Sequence, residues 1–316
     1  MAEFFTHILF ADSVLQRIES RRIMEGVKKK RSLYYLGAQG PDPFYFFDFF
    51  HRKGPLKGLG RVMHRQFTGK FLYQGFSALK NVSYDEGWLD LAVYLCGFVC
   101  HFTLDRFIHP YVYWAVSQWI WNVDGTFGKT DHSGLEMALD VILWKEKKGT
   151  YACRQNMRRL IYTGKKWPQS VAAFLLDTIN NIYGAETGIK ELNKVLTSFH
   201  RGCDLLYDPS GWKTKLVSFL ENLTGGGIKP PKKPWPPDCN PDIDWANRKK
   251  RTWKDPFTEN LVFTSSVDEI IMEAEDVASM HINTIFSRIY NNEDIEDLFP
   301  DMSYITGKLC AYNSEE

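Results

Sequence analysis

Apolar residues recur at helical spacing along most of the chain. Those of residues 5–18 fall on one helix face, and those of residues 89–99 do the same. No convincing alternation of apolar and polar residues, the pattern typical of half-buried β-strands, competes with this spacing. The pattern therefore predicts an all-α fold, a multi-helix and bundle-like domain. Further helices are predicted over residues 131–147, 155–162, 169–183 and 189–207.

The last predicted helix follows a segment rich in proline. Residues 228–256 hold seven of the fourteen prolines, so no regular structure is predicted there. Ser266 and Glu269 then form a capping box, and the apolar stripe of residues 267–289 needs a surface to pack on. The alternative to such packing is a separate peripheral domain. We predict a helical domain over residues 1–225, a Pro-rich surface segment over 226–260, and a C-terminal helix within 261–316 that packs on the main domain.

Charge and cysteine content narrow the function classes. The 39 basic and 38 acidic residues give a net charge of +1, so no overall field favours nucleic acid. The basic run of residues 248–251 could still contact phosphates. The six cysteines are widely spaced and contain no CxxC pair, which predicts reduced and mostly buried thiols. Residues 1–14 lack the basic start and the apolar run of a secretion signal, so we predict a cytoplasmic location.

The most apolar stretch, residues 89–121, also carries the clearest sign of chemistry. It contains His101, Asp105 and His109 at intervals of four residues. A membrane span is about 20 nearly uncharged residues, so buried helices around a polar site explain this stretch better. At about 100° per residue, the three side chains share one helix face and lie about 6 Å apart along its axis. One helix can therefore serve two adjacent metal ions.

A second series repeats this spacing at His132, Glu136 and Asp140. If the two helices face each other, six ligand groups converge. Imidazole and carboxylate groups are what zinc binds, and a catalytic zinc keeps one position open for water. Ion pairs on a helix surface are the alternative, but carboxylates in such apolar helices need a partner or a metal. The two series predict a metal cluster in a cleft.

Between the predicted helical segments of residues 5–18 and 89–99, two glycines and two prolines in residues 36–43 predict an ordered turn that presents Asp42. Aromatic residues follow this turn at Phe44, Tyr45 and Phe46. As part of a site they could bind acyl chains, a base or a quaternary ammonium group. As part of the fold they would begin a buried element. The remaining histidines, which are predicted to be core or surface residues, are His51, His200 and His281.

Five motifs occur in an order that resembles a known family. In order and residue type they resemble the zinc-dependent phospholipase C and single-strand nuclease superfamily. The resemblance covers about residues 1–145 by motif, and it implies a helical domain with two or three zinc ions. The motifs are His7, the Gly-Pro-Asp42 turn, His64, the HxxxD motif with a following histidine, and the HxxxE motif.

The resemblance also implies a role for each motif residue. Asp105 would bridge to a third metal, which His7 helps to hold. Secreted relatives also use the amino group of an N-terminal tryptophan there, and this chain has no such tryptophan, so its third site would differ. Asp140 is predicted separately as an outer partner of a ligand histidine, because such ligands usually need one. The implied ligands of the first zinc are Asp42, His64, His101 and Asp105, and those of the second are His109, His132 and Glu136.

The implied activity is that of a zinc-dependent phosphoesterase similar to a phospholipase C, in which zinc-bound water attacks a phosphodiester in line. Asp42 would orient that water or take its proton. Phe44, Tyr45 and Phe46 would contact the substrate. That substrate would be a phospholipid or another phosphodiester, reached through transient contact with a membrane surface and without a nucleic-acid partner. Two alternatives stay open: a nuclease or nucleotidase on the same scaffold, and a non-catalytic helical interaction protein.

Overall fold

The computed structural model describes residues 4–51, 53–80, 85–117, 120–121, 127–128, 131–223 and 234–311. Within these ranges the chain is largely helical, which confirms the predicted all-α class. The helices are α1 (Phe4–Leu15), α2 (Arg21–Lys29), α3 (Arg31–Gly37), α4 (Pro43–Phe50), α5 (Leu59–Met63), α6 (Thr68–Lys80), α7 (Glu86–Ser117), α8 (His132–Lys148), α9 (Met157–Ile161), α10 (Gln169–Tyr183), α11 (Ile189–Leu206), α12 (Trp212–Leu223) and α13 (Val267–Tyr290), with short 3-10 helices at Ala152–Arg154 and Glu296–Leu298.

Two small antiparallel ladders accompany the helices. The strands are β1 (Ile120–Trp121), which pairs with β2 (Phe127–Gly128), and β3 (Trp253–Lys254), which pairs with β4 (Val262–Phe263). The prediction that residues 228–256 contain no regular structure is therefore wrong at β3. Stacking explains the difference, since the ring of Trp253 lies on that of Phe263 across the ladder, with centroids 4.6 Å apart.

α7 forms the axis of the described fold. Helices α1, α3, α6, α10 and α13 all pack on it, and it is buried along most of its length. Because it is covered on nearly all sides, it is apolar on nearly all sides. α7 is long and apolar enough to cross a membrane, but 89% of its most apolar window is buried inside the protein. Such burial is typical of a core helix. The cytoplasmic location of the protein stays a prediction.

Two glycines bring α3 and α7 into direct backbone contact. A Cβ atom added at Gly37 would lie 2.1 Å from the carbonyl oxygen of Tyr94, and one at Gly97 would lie 2.2 Å from that of Tyr34. A side chain at either position would force the two helices apart. The contact sets the turn after α3, residues 38–42, against the middle of α7.

α13 begins at the predicted capping box. The Ser266 hydroxyl accepts from the Glu269 amide, and the Glu269 carboxylate accepts from the Ser266 amide. The apolar stripe of α13 packs on α7 and α1. Ahead of it, the described part of the Pro-rich segment is anchored by buried side chains, with Trp235 set edge-on against Phe5 at 5.5 Å. The division of the chain into three parts stays a prediction.

The basic run of residues 248–251 is tied to acidic side chains. Arg248 donates two hydrogen bonds to Glu146 of α8 and also pairs with Asp268 of α13. This arginine therefore joins the Pro-rich segment to two helices. All six cysteines are reduced and five are buried, as predicted.

Candidate metal centre

Three ligand-type histidines are oriented in the same way, by a backbone carbonyl group on one side of each ring. A ring that donates its Nδ1–H to a carbonyl keeps a lone pair on Nε2, the atom that then binds a metal. The Nδ1 to oxygen distances are 3.2 Å from His101 to Ala38, 2.6 Å from His64 to Gly60, and 2.8 Å from His109 to Tyr304.

The Nε2 atoms of these three histidines face carboxylate oxygens. A nitrogen lone pair and a carboxylate oxygen repel each other unless a proton or a metal cation lies between them. The arrangement therefore needs cations in the spaces between the side chains. The Nε2 to oxygen distances are 3.2 Å from His101 to Asp105, 3.4 Å from His64 to Asp42, and 3.3 Å from His109 to Glu136.

The ligand-type side chains form two groups in the part of the chain that the structure describes. Within each of three triads, the ligand atoms lie within 4.8 Å of one another. Two triads share His101, which has only one free ring nitrogen to offer, so we treat them as one cluster. The inner group is His7, Asp42, His64, His101 and Asp105, and the outer group is His109, His132 and Glu136.

Asp105 lies at the centre of the inner group and faces two ways. Its Oδ1 atom lies 3.2 Å from His7 Nε2, while its Oδ2 atom lies 3.6 Å from His64 Nε2 and close to His101. The residue is 1% exposed, and neither oxygen accepts a well-aligned hydrogen bond from the described residues. A buried carboxylate is costly without compensation, so the two oxygens of Asp105, each facing an imidazole, need a cation beside them.

His7 reaches the inner group from α1. Its ring stacks on that of His101 with centroids 4.3 Å apart, and burial together with the charge of His101 lowers the pKa of His7. Asp140 fixes this helix in place, because it accepts from the amides of Phe5 and Thr6 at 3.1 and 2.6 Å. Asp140 was predicted to contact a ligand histidine; it acts instead on the backbone beside one.

Trp235 completes the surroundings of Asp140. Its indole Nε1–H donates to the carboxylate of Asp140 at 2.8 Å. Burial nevertheless raises the pKa of Asp140 to about 6, although the bonds from α1 and Trp235 oppose the rise. Asp140, the sixth residue of the two i, i+4 series, therefore does not converge on the metal centre. Its carboxylate accepts hydrogen bonds from the start of α1 instead.

The outer group joins α7 to the first turn of α8. His132 is the first residue of α8, and its Nε2 atom lies 2.6 Å from Glu136 Oε1 one turn later. The side chain of His132 is 26% exposed, whereas Glu136 is buried. The ring of Tyr113 lies edge-on to His132, with centroids 4.8 Å apart. Solvent therefore reaches the metal centre on the side of the outer group.

The pKa values show that both groups attract cations. Burial alone would lower the pKa of His109, but the charges of Asp105 and Glu136 raise it to about 9. Burial alone would raise the pKa of Asp42, but the adjacent imidazole of His64 and the charge of His101 hold it at about 2. Three buried carboxylates thus stay ionised among imidazoles. Neutral Nε2 atoms and carboxylate oxygens are the donor set of zinc, so the residues present fit that metal.

Comparison with known families agrees with this donor set. The family described as zinc dependent phospholipase C has a model that matches residues 6–189. The chain belongs to this family. No curated protein and no solved structure matches the chain. The matched range contains all eight residues of the inner and outer groups, and family membership makes the chain a zinc-dependent, phospholipase-like hydrolase at that level.

The aromatic residues after Asp42 have different surroundings in this member of the zinc-dependent phospholipase C family. Phe44 is buried in the core, and Phe46 packs on Phe199 of α11 with centroids 5.1 Å apart. Tyr45 is half-buried, and its hydroxyl lies 3.5 Å from His64 Nδ1. Of the three, Tyr45 is therefore the one that adjoins the ligands of the centre.

Two contributions to the centre were not predicted. Tyr113 continues the i, i+4 series one step beyond His109, so its spacing was a usable signal. Tyr304 packs its ring on His64, with centroids 5.2 Å apart, and also supplies the carbonyl that orients His109. Spacing gives no signal for a backbone carbonyl 195 residues away. The other three histidines, His51, His200 and His281, join neither group in the described chain.

Proposed function

We propose that this chain hydrolyses phospholipids at the phosphodiester bond on the glycerol side, and that it uses two or three zinc ions to do so. The observation that carries the proposal is the carboxylate of Asp105, buried between the inner imidazoles with an oxygen toward each side. Such a group needs metal cations, and the family to which the chain belongs is zinc-dependent.

Zinc in such a site supplies a Lewis acid and lowers the pKa of coordinated water from 15.7 to about 7. The inner group would hold zinc away from solvent, because its five side chains are all buried. Asp42, ionised beside His64, would orient the attacking water or take its proton. Tyr45 and Tyr113 would border the bound phosphate ester, since each contacts a ligand histidine from a half-buried position.

The test presents two substrates to zinc-loaded protein under the same conditions. We expect release of phosphorylated head group and diacylglycerol from a short-chain phospholipid, with little change between about 50 and 200 mM salt. A protein that gripped single strands through several phosphates would lose affinity steeply over that range. Faster cleavage of single-stranded DNA or RNA, with such a loss, would show that the chain is a nuclease. Turnover of neither substrate would favour the non-catalytic alternative.

The role of Asp42 is tested by Asp42→Asn, which keeps the shape and one ligand oxygen but removes the negative charge. Turnover should fall by about 10² or more, the usual scale for a positioned acid or base, while most of the zinc stays bound. Asp238→Asn, which changes an exposed aspartate that pairs with Lys145, is the matched control and should retain full activity. Asp42→Asn activity within tenfold of the wild type would place the role elsewhere.

A further inference from the structure

α12 carries an exposed apolar stripe. Trp212, Leu216 and Phe219 are 57%, 46% and 61% exposed. Intervals of four and three residues place them within about 60° of one another around the helix. An apolar stripe on a helix normally faces a core, and this one faces solvent.

The beginning of α12 is held firmly, so the direction of the stripe is set by the fold. Lys213 Nζ donates to the carbonyl oxygens of Asp204, Leu205 and Tyr207 at 2.9, 3.0 and 2.8 Å. These bonds attach the first turn of α12 to the end of α11. Along the rest of its length, α12 has no extensive contact with any other helix in the described ranges.

Further bonds brace the same turn. The carboxylate of Asp208 accepts from the amide and from the hydroxyl of Thr214, at 2.8 and 2.9 Å. Thr214 lies between the first two residues of the stripe, Trp212 and Leu216. The start of α12 is therefore rigid, while its apolar stripe is left without a covering element among the described residues.

The charges around the stripe are positive on balance. α12 contains two lysines and one acidic residue, Glu221, and Lys215 is exposed beside the stripe. The sequence continues with three more lysines in residues 229–233. Aromatic and aliphatic residues on one face with lysines at its edges are the composition of helices that lie in the surface of an anionic bilayer.

α12 also begins on the side of the molecule where Asp42 lies. α11 runs antiparallel to α4: His51 contacts Ser198, and Phe46 meets Gly202, where an added Cβ would lie 2.0 Å from the Phe46 ring. Continuing three residues from Gly202 reaches Leu205 in the last turn of α11, level with the start of α4, which directly follows Asp42. Leu205 there is 52% exposed and extends the apolar surface.

We propose that α12 docks the protein on anionic phospholipid membranes, with its apolar stripe in the interface. The proposal rests on the proposed function in one respect, because phospholipid is the substrate that makes a bilayer the occupant of this surface. The two ideas remain separable. Docking is a property of α12, and hydrolysis is a property of the metal centre.

The experiment uses the Asp42→Asn protein, so that hydrolysis of the vesicles is slow. It measures co-sedimentation with vesicles of phosphatidylcholine alone and of phosphatidylcholine with about 30% phosphatidylserine. We expect binding to the anionic vesicles that weakens with salt. The double change Leu216→Glu and Phe219→Glu should reduce it by about tenfold or more, since two buried apolar side chains are lost. Met280→Glu, which adds a charge at a 64% exposed methionine of α13, is the control and should bind like the parent protein.

A second readout separates docking from catalysis. With Asp42 restored, the double variant should hydrolyse a monomeric short-chain phospholipid at the parental rate but lose activity on vesicles. Absent vesicle binding by the parent protein, or binding that the double variant retains, would overturn the proposal. The proposal would also be overturned if the parent protein sediments as a dimer and the double variant as a monomer, because the stripe would then pack on a second copy of the chain. Vesicle binding without hydrolysis of any phospholipid would leave docking intact and overturn only the proposed function.

Discussion

The inner and outer groups of the metal centre use the same residue types in different surroundings. The inner group gathers side chains from α1, from the turn before α4, from the end of α5 and from α7, and it is sealed from solvent. The outer group needs only α7 and α8, and its His132 is partly exposed. Ligands brought together from distant parts of a fold are held by all of that fold. The comparison teaches that one half of the centre is enclosed and held by more of the fold, whereas the other is local and partly open to solvent.

The largest effect should come from Asp105→Ala. This change removes the carboxylate that His7, His64 and His101 share, so we expect loss of inner zinc, a lower melting temperature and no measurable turnover. Zinc is measured by elemental analysis of the purified variant. Asp90→Ala, which changes an ion-paired aspartate earlier in α7, is the control and should keep its metal. Wild-type zinc content in Asp105→Ala would show that the carboxylate is structural.

A smaller loss should follow Glu136→Ala. This carboxylate pairs with His109 and His132 of the outer group, so the variant should lose about one equivalent of zinc and keep the rest. Turnover should still be abolished, because the metal nearest to solvent is missing. If Glu136→Ala loses as much zinc as Asp105→Ala, the two groups act as one site and the comparison fails.

Removal of metal from the unmodified protein should proceed in two stages. A chelator should first take zinc from the outer group, with a small fall in melting temperature, and later from the inner group, with a larger fall. A colorimetric zinc indicator follows the release while scanning calorimetry follows the stability. A single phase with one accompanying change in stability would contradict different accessibility of the two groups.

The smallest effect concerns a histidine outside both groups. Burial and the charge of Arg158 lower the pKa of His200 to about 4, below its ordinary value of 6.5. Its neutral form therefore stabilises the fold fully above pH 6.5, and that contribution is lost as the pH falls toward 4. His200→Gln should reduce the acid loss of unfolding free energy between pH 7 and 5 by on the order of 1 kcal/mol. Chemical denaturation measures this loss in the variant and in the wild type. If the two proteins lose the same unfolding free energy between pH 7 and 5, His200 titrates normally.

Much of the centre was predictable because its core is local in sequence. Five of the six residues in the two i, i+4 series converge, as one helix face requires, and the sixth, Asp140, is taken up by the start of α1. The order of the motifs, which carries the family resemblance, predicted three further inner residues that no helical spacing connects to the two series. Those three are His7, Asp42 and His64.

The unpredicted parts depend on tertiary contacts between distant segments. The carbonyl groups of Ala38, Gly60 and Tyr304 orient the rings, and any residue type supplies a carbonyl. Composition predicted an irregular Pro-rich segment, which is wrong at β3, and it gave no sign that Trp235 would reach Asp140. Seven of the thirteen described helices were predicted, because amphipathic spacing and capping residues are local signals, whereas α2 to α6 and α12 were not.

The hydrogen bond from His109 to the carbonyl of Tyr304 also limits how early the centre can be completed during synthesis of the chain. The two residues are 195 positions apart, so a ribosome adding 5–20 residues per second finishes Tyr304 roughly 10 to 40 s after His109. During that interval the outer histidine has no carbonyl to hold its ring. The inner ligands, the last of which is Asp105, have by then all been made. Because Tyr304 also packs on His64 of the inner group, full activity should appear only after synthesis passes residue 304.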